Sequence, residues 1–228
     1  MVVKRGILSV AAIVEQGITL ADAEGLDAVS MRAIADRLGT GVMSLYRHVP
    51  NKEHLVELMV EAVSERYAYP DHTGNTWRQS LTVLAETDWA MYLEHPWTLV
   101  ASLTSRPPIG PSTLRAMEWA YSAIAELGLP PKEATSVIMA VTTHVQGVAQ
   151  LAVSERRLAE SSDIDAVEWW RRRIHELDGG DHPHLEPIAQ GFIEGDVEQW
   201  MIFDLTLILD GIEQLARRHR RGRATGRG

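Results

Sequence analysis

Apolar residues recur every three or four positions along most of the chain, and no stretch alternates apolar and polar residues as a half-buried strand would. This period predicts a first helix from about Ser9 to Glu24, with Gly25 placed to end it. A helix of similar length is predicted to begin at the capping residue Asn51 and to fade near Tyr69. The protein is therefore expected to be all-α.

Residues 30–52 have the spacing of two short helices that cross over a tight turn. Ile34, Ala35 and Leu38 fall on one face of the first helix, and Gly39 follows where a left-handed residue would end it. Ala35 is small at the point where two crossing helices must approach most closely. The pattern predicts a helix-turn-helix.

The second helix of this pair is predicted to begin at Thr40, whose hydroxyl is a good N-cap. Leu45 and Val49 would point back into the same small core. The other side chains of this helix face outward and are candidate readers of DNA bases: Val42, Met43, Ser44, Tyr46, Arg47 and His48.

The run Leu45–Lys52, LYRHVPNK, resembles the LYWHV-x-NK hallmark of the tetracycline-repressor (TetR) family, and the resemblance covers roughly residues 7–66. It implies an N-terminal three-helix, helix-turn-helix DNA-binding domain over residues 1–70. A larger helical ligand-binding and dimerisation domain would follow over residues 76–218. Residues 219–228 are expected to form a disordered, arginine-rich tail.

The resemblance implies that the partner is a palindromic double-stranded DNA operator, bound by a dimer. Arg32, Tyr46 and Lys52 match positions that hold phosphates in the family, and the fork of Arg47 suits guanine O6 and N7. For Tyr46 the alternative is a ring buried between helices, and for His48 it is a structural contact to the turn. The remaining predicted DNA-binding positions lie at the start of the reading helix or near base edges. They are Thr40, Gly41, Val42, Met43, Ser44, Arg47 and His48.

The pattern after residue 75 predicts a series of further helices. Thr76 and Gln79 form a capping box that opens the first of them. The predicted segments are residues 77–93, a shorter helix from 97, residues 113–127, a long helix from 131 past 151, a helix capped by residues 162–165, and residues 196–217.

The last predicted helix is apolar around too much of its circumference for one buried stripe, so it requires a partner surface. In the TetR family the final helix and a long earlier helix, here roughly residues 131–153, form a four-helix bundle with a second copy. The alternative is the central helix of a monomeric bundle. The residues that the resemblance assigns to the homodimer are Val141, Val145, Val148, Phe203, Leu207, Asp210 and Gly211.

The resemblance also implies a small-molecule effector that shifts the dimer between states of different DNA affinity. Its site is expected among the helices of the second domain, where aromatic rings give contact area and a few polar groups orient the ligand. The alternative for each candidate is a plain core position. The candidates are Trp89, Tyr92, Trp119, Met139, Thr143, His144, Gln146 and Trp170.

Composition narrows the class of protein. The chain has 228 residues, 45% of them hydrophobic, and no cysteine, which excludes disulfides and thiolate metal sites. No apolar run approaches the roughly 20 residues of a membrane span, and the N-terminus lacks the apolar core of a secretion signal. A cytoplasmic protein with no membrane contact is expected.

The net charge of −9 is unusual for a DNA-binding protein. DNA phosphates, however, respond mainly to charges within about 10 Å at cellular salt, so the local balance decides. Between residues 32 and 52 the cations are Arg32, Arg37, Arg47 and Lys52, against Asp36 alone. This segment therefore favours contact with DNA.

Other classes of function have weaker signals. Imidazole and carboxylate groups near the last loop suit zinc or manganese, but loop histidines beside glycine and proline are more often only solvated, and no metal or other cofactor is expected. The chain lacks the common motifs of hydrolases, zinc proteases and nucleotide-binding enzymes, so no enzyme is expected. The alternatives are an all-α hydrolase without such a motif, or a helical adaptor that is monomeric and ignores DNA. The loop residues concerned are His175, Asp178, Asp181, His182, His184 and Glu186.

Overall fold

The computed structural model describes residues 8–104, 106–161, 166–176, 191 and 195–225. Every regular element in these ranges is a helix, so the predicted all-α class is confirmed. Single 3₁₀ turns lie at Leu26–Ala28 and Ala125–Leu127. The α-helices are α1 (Val10–Glu24), α2 (Met31–Arg37), α3 (Val42–Tyr46), α4 (Lys52–Arg66), α5 (Trp77–Glu94), α6 (Trp97–Ser102), α7 (Pro111–Ala123), α8 (Pro131–Ser161), α9 (Ala166–Glu176) and α10 (Val197–Thr225).

Side-chain caps set the starts of α4 and α5, as the sequence predicts. The Oδ1 atom of Asn51 accepts the backbone N–H of His54 at 2.7 Å. At α5, Thr76 and Gln79 form the predicted capping box, because each side chain accepts the backbone N–H of the other residue. The predicted beginnings of both helices are confirmed.

The start of α3 corrects the sequence prediction. Thr40 does not cap this helix, since Gly41 occupies the N-cap position with φ −81° and ψ 141° and no side chain caps it. The backbone N–H of Thr40 instead donates to the carbonyl of Ala35 at 3.0 Å. Thr40 therefore closes α2, and α3 is left with only the five residues from Val42 to Tyr46.

The end of α10 also differs from the prediction. The helix continues to Thr225 rather than ending near Arg217, so residues 219–225, which the sequence places in a disordered tail, are helical. The Nε2 atom of His219 lies 2.6 Å from the Oε2 atom of Glu133 on α8. This contact holds the C-terminal part of α10 against α8.

The chain divides into two compact units, residues 1–126 and 127–228. In the first unit, helices α1 to α4 enclose a core that includes the fully buried side chains of Ile34 and Leu45. Trp97 of α6 joins this same core, and α7 packs on α4. The first unit thus contains α6 and α7 as well as the helices of the DNA-binding region, because α6 and α7 pack on those helices.

The second unit is built on α8 and α10, which pack against each other along their length. The Nε2–H group of His144 on α8 donates to the carbonyl of Met201 on α10 at 3.1 Å. Near the other ends of the helices, His219 contacts Glu133. The order of these two contacts shows that α8 and α10 run antiparallel.

The segment Pro131–Ala159 of α8 is long and apolar enough to cross a membrane by length and composition. The expectation that no apolar segment reaches the length of a membrane span does not hold for this helix. A core helix of a soluble protein meets the same criterion, so a single helix of this kind is weak support for a membrane span.

Candidate nucleic-acid interface

The turn between α2 and α3 depends on a glycine. Gly39 has φ +62°, a left-handed conformation that other residues rarely adopt. Just after it, the N–H of Thr40 reaches back to the carbonyl of Ala35 and closes the end of α2. Ile34, Ala35 and Leu45 are each 0% exposed, as the predicted helix crossing requires. This part of the sequence prediction is confirmed.

The side chains of α3 and of the turn after it differ in how far they are exposed to solvent. Met43 is 77% exposed and Tyr46 is 44% exposed, so the ring of Tyr46 is not buried between helices. Arg47 and His48 are also exposed. Val42 packs partly against the core. We call the outward surface of α3 and of the turn that follows it the reading face, and its residues are Met43, Ser44, Tyr46, Arg47 and His48.

The cations of this region are not all available to DNA. Arg37 donates to the Oε1 atom of Glu24 at 2.7 Å, so its charge is already compensated. Arg32 is exposed, and neither Arg32 nor Arg47 forms an ion pair with any residue that the structure describes. Uncompensated positive charge therefore lies on α2 and on the reading face.

The guanidinium of Arg47 is held by Ser44, which was predicted from the sequence only as a base reader. Its Nη2 group donates to the Oγ atom of Ser44 at 3.1 Å, one helical turn earlier. An arginine has five N–H donors, so this bond leaves others free to contact a base. The sequence signal that could have predicted this contact is the i, i+3 spacing of Ser44 and Arg47, which places their side chains one helical turn apart.

The side chain of Lys52, predicted to contact a phosphate, already has a partner within the protein. Its Nζ atom donates to the carbonyl of Leu26 at 3.3 Å, and the residue is half-buried. The bond ties the first turn of α4 to the 3₁₀ turn Leu26–Ala28. Because an ammonium group has three donors, a phosphate contact is compatible with this tether.

Three of the candidate effector residues lie in the first unit, near a buried pair that the sequence did not reveal. The hydroxyl of Tyr69 donates to the Oδ1 atom of Asp88 on α5 at 2.7 Å. The ring of Trp119 on α7 packs on the ring of Tyr69 with 4.6 Å between centroids and 38° between the ring planes. Trp89 follows Asp88 directly, Tyr92 lies one turn later, and both are buried.

Burial sets the ionisation of this pair. It raises the pKa of Asp88 from 3.8 to about 6, although the hydrogen bond from Tyr69 acts in the opposite direction. Burial, together with the neighbouring Asp88 carboxylate, also raises the pKa of the Tyr69 hydroxyl well above its usual range. Asp88 therefore changes charge near pH 6 inside the helical bundle of the first unit.

The other five candidates lie in the second unit, on α8 and α9. His144 donates to a carbonyl of α10, and the hydroxyl of Thr143 donates to the carbonyl of Met139 in its own helix. The side chain of Met139 is 52% exposed, and Gln146 is half-buried. Trp170 on α9 is partly exposed.

An open groove of about 670 Å³ lies beside the first turns of α5. None of the eight candidate effector residues lines it, so the groove does not coincide with the predicted site. Its lining residues are Asn75, Thr76, Arg78, Gln79, Thr82 and Val83.

The predicted dimer residues fall into two groups. Val141, Val145 and Val148 are 0%, 0% and 8% exposed within the single chain, so the prediction that these side chains face a second copy is corrected. They lie on the inward side of α8 and serve the core. Phe203 and Leu207 on α10 are 63% and 56% exposed, and Asp210 and Gly211 are exposed as well.

The loop whose histidines and carboxylates were weighed as a metal site and rejected lies almost wholly outside the described residues. Five of its residues are not described: Asp178, Asp181, His182, His184 and Glu186. The same holds for the side chain of His175 and for the cap predicted at residues 162–165. Among the residues that the structure does describe, no group of three or more histidine, aspartate or glutamate side chains is arranged to hold a metal ion.

A buried helix-turn-helix core with an exposed, uncompensated arginine at the end of its second helix defines the class of helix-turn-helix DNA-binding regulators. Comparison with family models gives the particular family. Residues 13–59 match the model of bacterial regulatory proteins of the tetR family, and residues 69–216 match the tetracyclin repressor-like C-terminal domain. The chain belongs to the TetR family of transcriptional regulators.

Relatives and solved structures agree with this assignment. The chain is 34% identical over 213 residues to the HTH-type transcriptional repressor DrrR1 of Streptomyces coeruleorubidus, covering 91% of this chain and 78% of that protein. It is 32% identical over 194 residues to an HTH-type transcriptional regulator of Saccharopolyspora erythraea, covering 80% and 82%. The Streptomyces coelicolor protein ActR, solved in complex with actinorhodin, matches with a TM-score of 0.79 and 26% identity over 92% of this chain and 99% of its own.

Proposed function

We propose that this protein is a ligand-responsive repressor that binds a palindromic DNA operator as a homodimer and is released by a small-molecule inducer. The observation that carries the proposal is the reading face, where Met43 is 77% exposed and Arg47 has no acidic partner among the described residues. Such a face fits the major groove, which is wide enough for an α-helix. The class of protein and the repressor relatives support the same function.

The contacts to DNA divide into positioning and reading. Arg32 and Lys52 supply charge to phosphates on either side of the groove, and the Tyr46 hydroxyl adds a hydrogen bond. Arg47 donates to guanine O6 and N7, and Met43 packs on a thymine methyl, each contributing about 1 to 3 kcal/mol of discrimination.

The homodimer is proposed to form through the outward surface of α10. Phe203 and Leu207 expose large apolar side chains there. A Cβ atom built on Gly211 would meet nothing within 4 Å, so the chain itself does not need a glycine at this position. Close approach of a second copy explains these features together, and a two-fold axis would then place two reading faces on half-sites about 34 to 36 Å apart.

The effector is proposed to be a small organic molecule with ring-containing parts that pack on aromatic side chains. ActR has been solved with actinorhodin and with (S)-DNPA, which supports a small-molecule ligand for a protein of the same fold. In this chain the adjacent rings of Tyr69 and Trp119, next to the buried Asp88, supply aromatic contact area and a polar group. A ligand there shifts the DNA-bound population by its differential affinity, commonly about 1 to 3 kcal/mol. The protein would act in the cytoplasm.

A gel-shift titration with DNA from beside the gene, repeated over a range of salt, tests DNA binding directly. Binding should be specific and should weaken steeply with salt, because each phosphate contact releases counterions. Arg32→Ala should lower affinity on every sequence and reduce the salt slope by about one. Arg37→Ala is the matched control, since Arg37 is already paired with Glu24. Equal losses for the two variants, or no retention of any duplex, would contradict the proposal.

A further inference from the structure

Asp22, near the end of α1, binds two side chains of the segment that joins α5 to α6. Its Oδ1 atom accepts the Nδ1–H group of His95 and the indole Nε1–H group of Trp97, each at 2.8 Å. His95 is the C-terminal cap of α5, and Trp97 is the first residue of α6. The partners are 73 and 75 positions apart in the sequence, so these contacts are tertiary ones, and no local pattern in the sequence indicates them.

The surroundings make these bonds directional restraints. His95 is 5% exposed and Trp97 is 1% exposed, so neither ring has free access to water as an alternative partner. The carbonyl of His95 accepts the Thr98 hydroxyl at 2.7 Å, and its ring meets the edge of Tyr67, the C-terminal cap of α4, with 5.9 Å between centroids. One carboxylate thus fixes α1 against the place where α4, α5 and α6 meet.

Apolar packing alone holds two surfaces together but allows them to slide, since it has no preferred direction. Two charge-assisted hydrogen bonds to one oxygen atom remove that freedom. The reading helix α3 packs with α2, and α2 packs with α1. The orientation of α1 against α5 and α6 is therefore carried to the reading face.

We infer that Asp22 is a positioning residue that sets how strictly this regulator measures the spacing between its two operator half-sites. The inference rests on the proposed function, because it requires a dimer that binds paired half-sites. A change of one base pair moves a half-site by about 3.4 Å along the DNA and rotates it about the axis. A rigid joint rejects such a shift, whereas a joint without its carboxylate tolerates it.

The test needs neither a known operator nor a known effector. Duplexes with a random central region are first selected on the full-length wild-type protein to obtain the half-site sequence and its preferred spacing. A second library keeps the selected half-sites and varies only the number of base pairs between them. Enrichment of each spacing is then measured by sequencing for the wild type and for the variants.

Asp22→Asn keeps an acceptor oxygen but makes weaker, uncharged bonds to His95 and Trp97. It should keep the half-site sequence but raise the enrichment of spacings one base pair away from the optimum, relative to the optimum, by about threefold or more. Glu65→Gln is the matched control. It also removes one negative charge near α1 to α4, yet Glu65 is exposed and has no hydrogen bond or ion pair with the described part of the chain. Its spacing profile should match the wild type.

Trp97→Phe provides a second variant, because it removes one donor and leaves Asp22 and its charge in place. It decides the matter if Asp22→Asn does not fold, and it should relax the spacing in the same direction. Variants that lose affinity equally at all spacings, or that keep the wild-type spacing profile, would overturn the inference alone. A wild-type protein that selects no paired half-sites would overturn the proposed function and the inference with it.

Discussion

Glu61 on α4 caps the first turn of α7 through the backbone of Ser112. Both carboxylate oxygens of Glu61 accept the N–H group of Ser112, at 2.9 and 3.0 Å. A carboxylate at this place satisfies a donor that the helix cannot pair internally and faces the positive end of the helix dipole. Since α4 belongs to the DNA-binding region, the contact ties that region to α7 within the first unit.

Removal of this cap should weaken the fold measurably. Glu61→Ala is expected to lower the free energy of unfolding by about 1 to 2 kcal/mol, because the Ser112 N–H group loses its acceptor. Glu61→Gln should cost less, since the amide oxygen still accepts. Urea unfolding followed by circular dichroism gives the values. Glu65→Ala on the same helix is the control, and a loss as large as that of Glu61→Ala would refute the capping role.

The contact between Ser44 and Arg47 should matter for base reading rather than for general affinity. Ser44→Ala frees the guanidinium and should reduce discrimination at one base pair about 3- to 10-fold, because the side chain must then be ordered on binding. Competition with duplexes changed one base pair at a time provides the measurement. Ser44→Thr, which keeps the hydroxyl, should retain the preference.

The double variant Ser44→Ala/Arg47→Ala separates an indirect role of Ser44 from a direct one. If Ser44 acts through Arg47, the double variant should discriminate no worse than Arg47→Ala alone. An additional loss of the same size in the double variant would show that the serine hydroxyl contacts DNA by itself.

Asp88 should make stability depend on pH in a definite direction. Its folded pKa of about 6 lies above the ordinary value of 3.8, so the folded state binds the proton more tightly. The stabilisation from this proton is complete below the ordinary pKa and is lost as the pH rises through about 6.

Asp88→Asn should therefore raise the free energy of unfolding at pH 8 by about 1 to 2 kcal/mol relative to the wild type. The amide oxygen still accepts the Tyr69 hydroxyl, so the hydrogen bond itself is retained. Unfolding titrations at pH 4 and pH 8 provide the comparison, and the gain should shrink at the lower pH. A variant whose advantage is the same at both pH values would show that Asp88 is not protonated as described.

The exposed apolar surface of α10 predicts a change in oligomeric state. Leu207→Asp should convert the proposed dimer to a monomer at micromolar concentration, because it places a charge where apolar surface would be buried. Light scattering after size exclusion gives the mass. Leu158→Asp is a matched control, since Leu158 is similarly exposed, at 60%, but lies near the end of α8. A wild-type protein that elutes as a monomer would contradict the proposed interface at once.

Local signals in the sequence were sufficient for much of this fold. The capping box of Thr76 and Gln79 and the left-handed Gly39 depend on residues close in sequence, and both were predicted correctly. The cap at Thr40 was predicted wrongly, since a hydroxyl at the right spacing does not reveal that the backbone N–H of the same residue is needed to close α2.

The contacts that organise the first unit could not be predicted from the sequence, for a different reason. Asp22 with His95, and Tyr69 with Asp88, join residues brought together only by the packing of whole helices. Periodicity also could not separate the inward valines of α8 from outward positions, because a helix that is apolar on several sides gives no single stripe. The local pattern was enough to predict which segments are helical, but it could not predict which side chains contact each other.

The exposure of Met43 has a practical consequence for any measurement on DNA. Met43 is 77% exposed to solvent, so its thioether is open to oxidation by peroxide. The resulting sulfoxide is polar and chiral. Aged samples would then mix two chemical forms of the same surface and blur the sequence preference. Preparations should be checked by mass spectrometry for an added oxygen before affinities are compared.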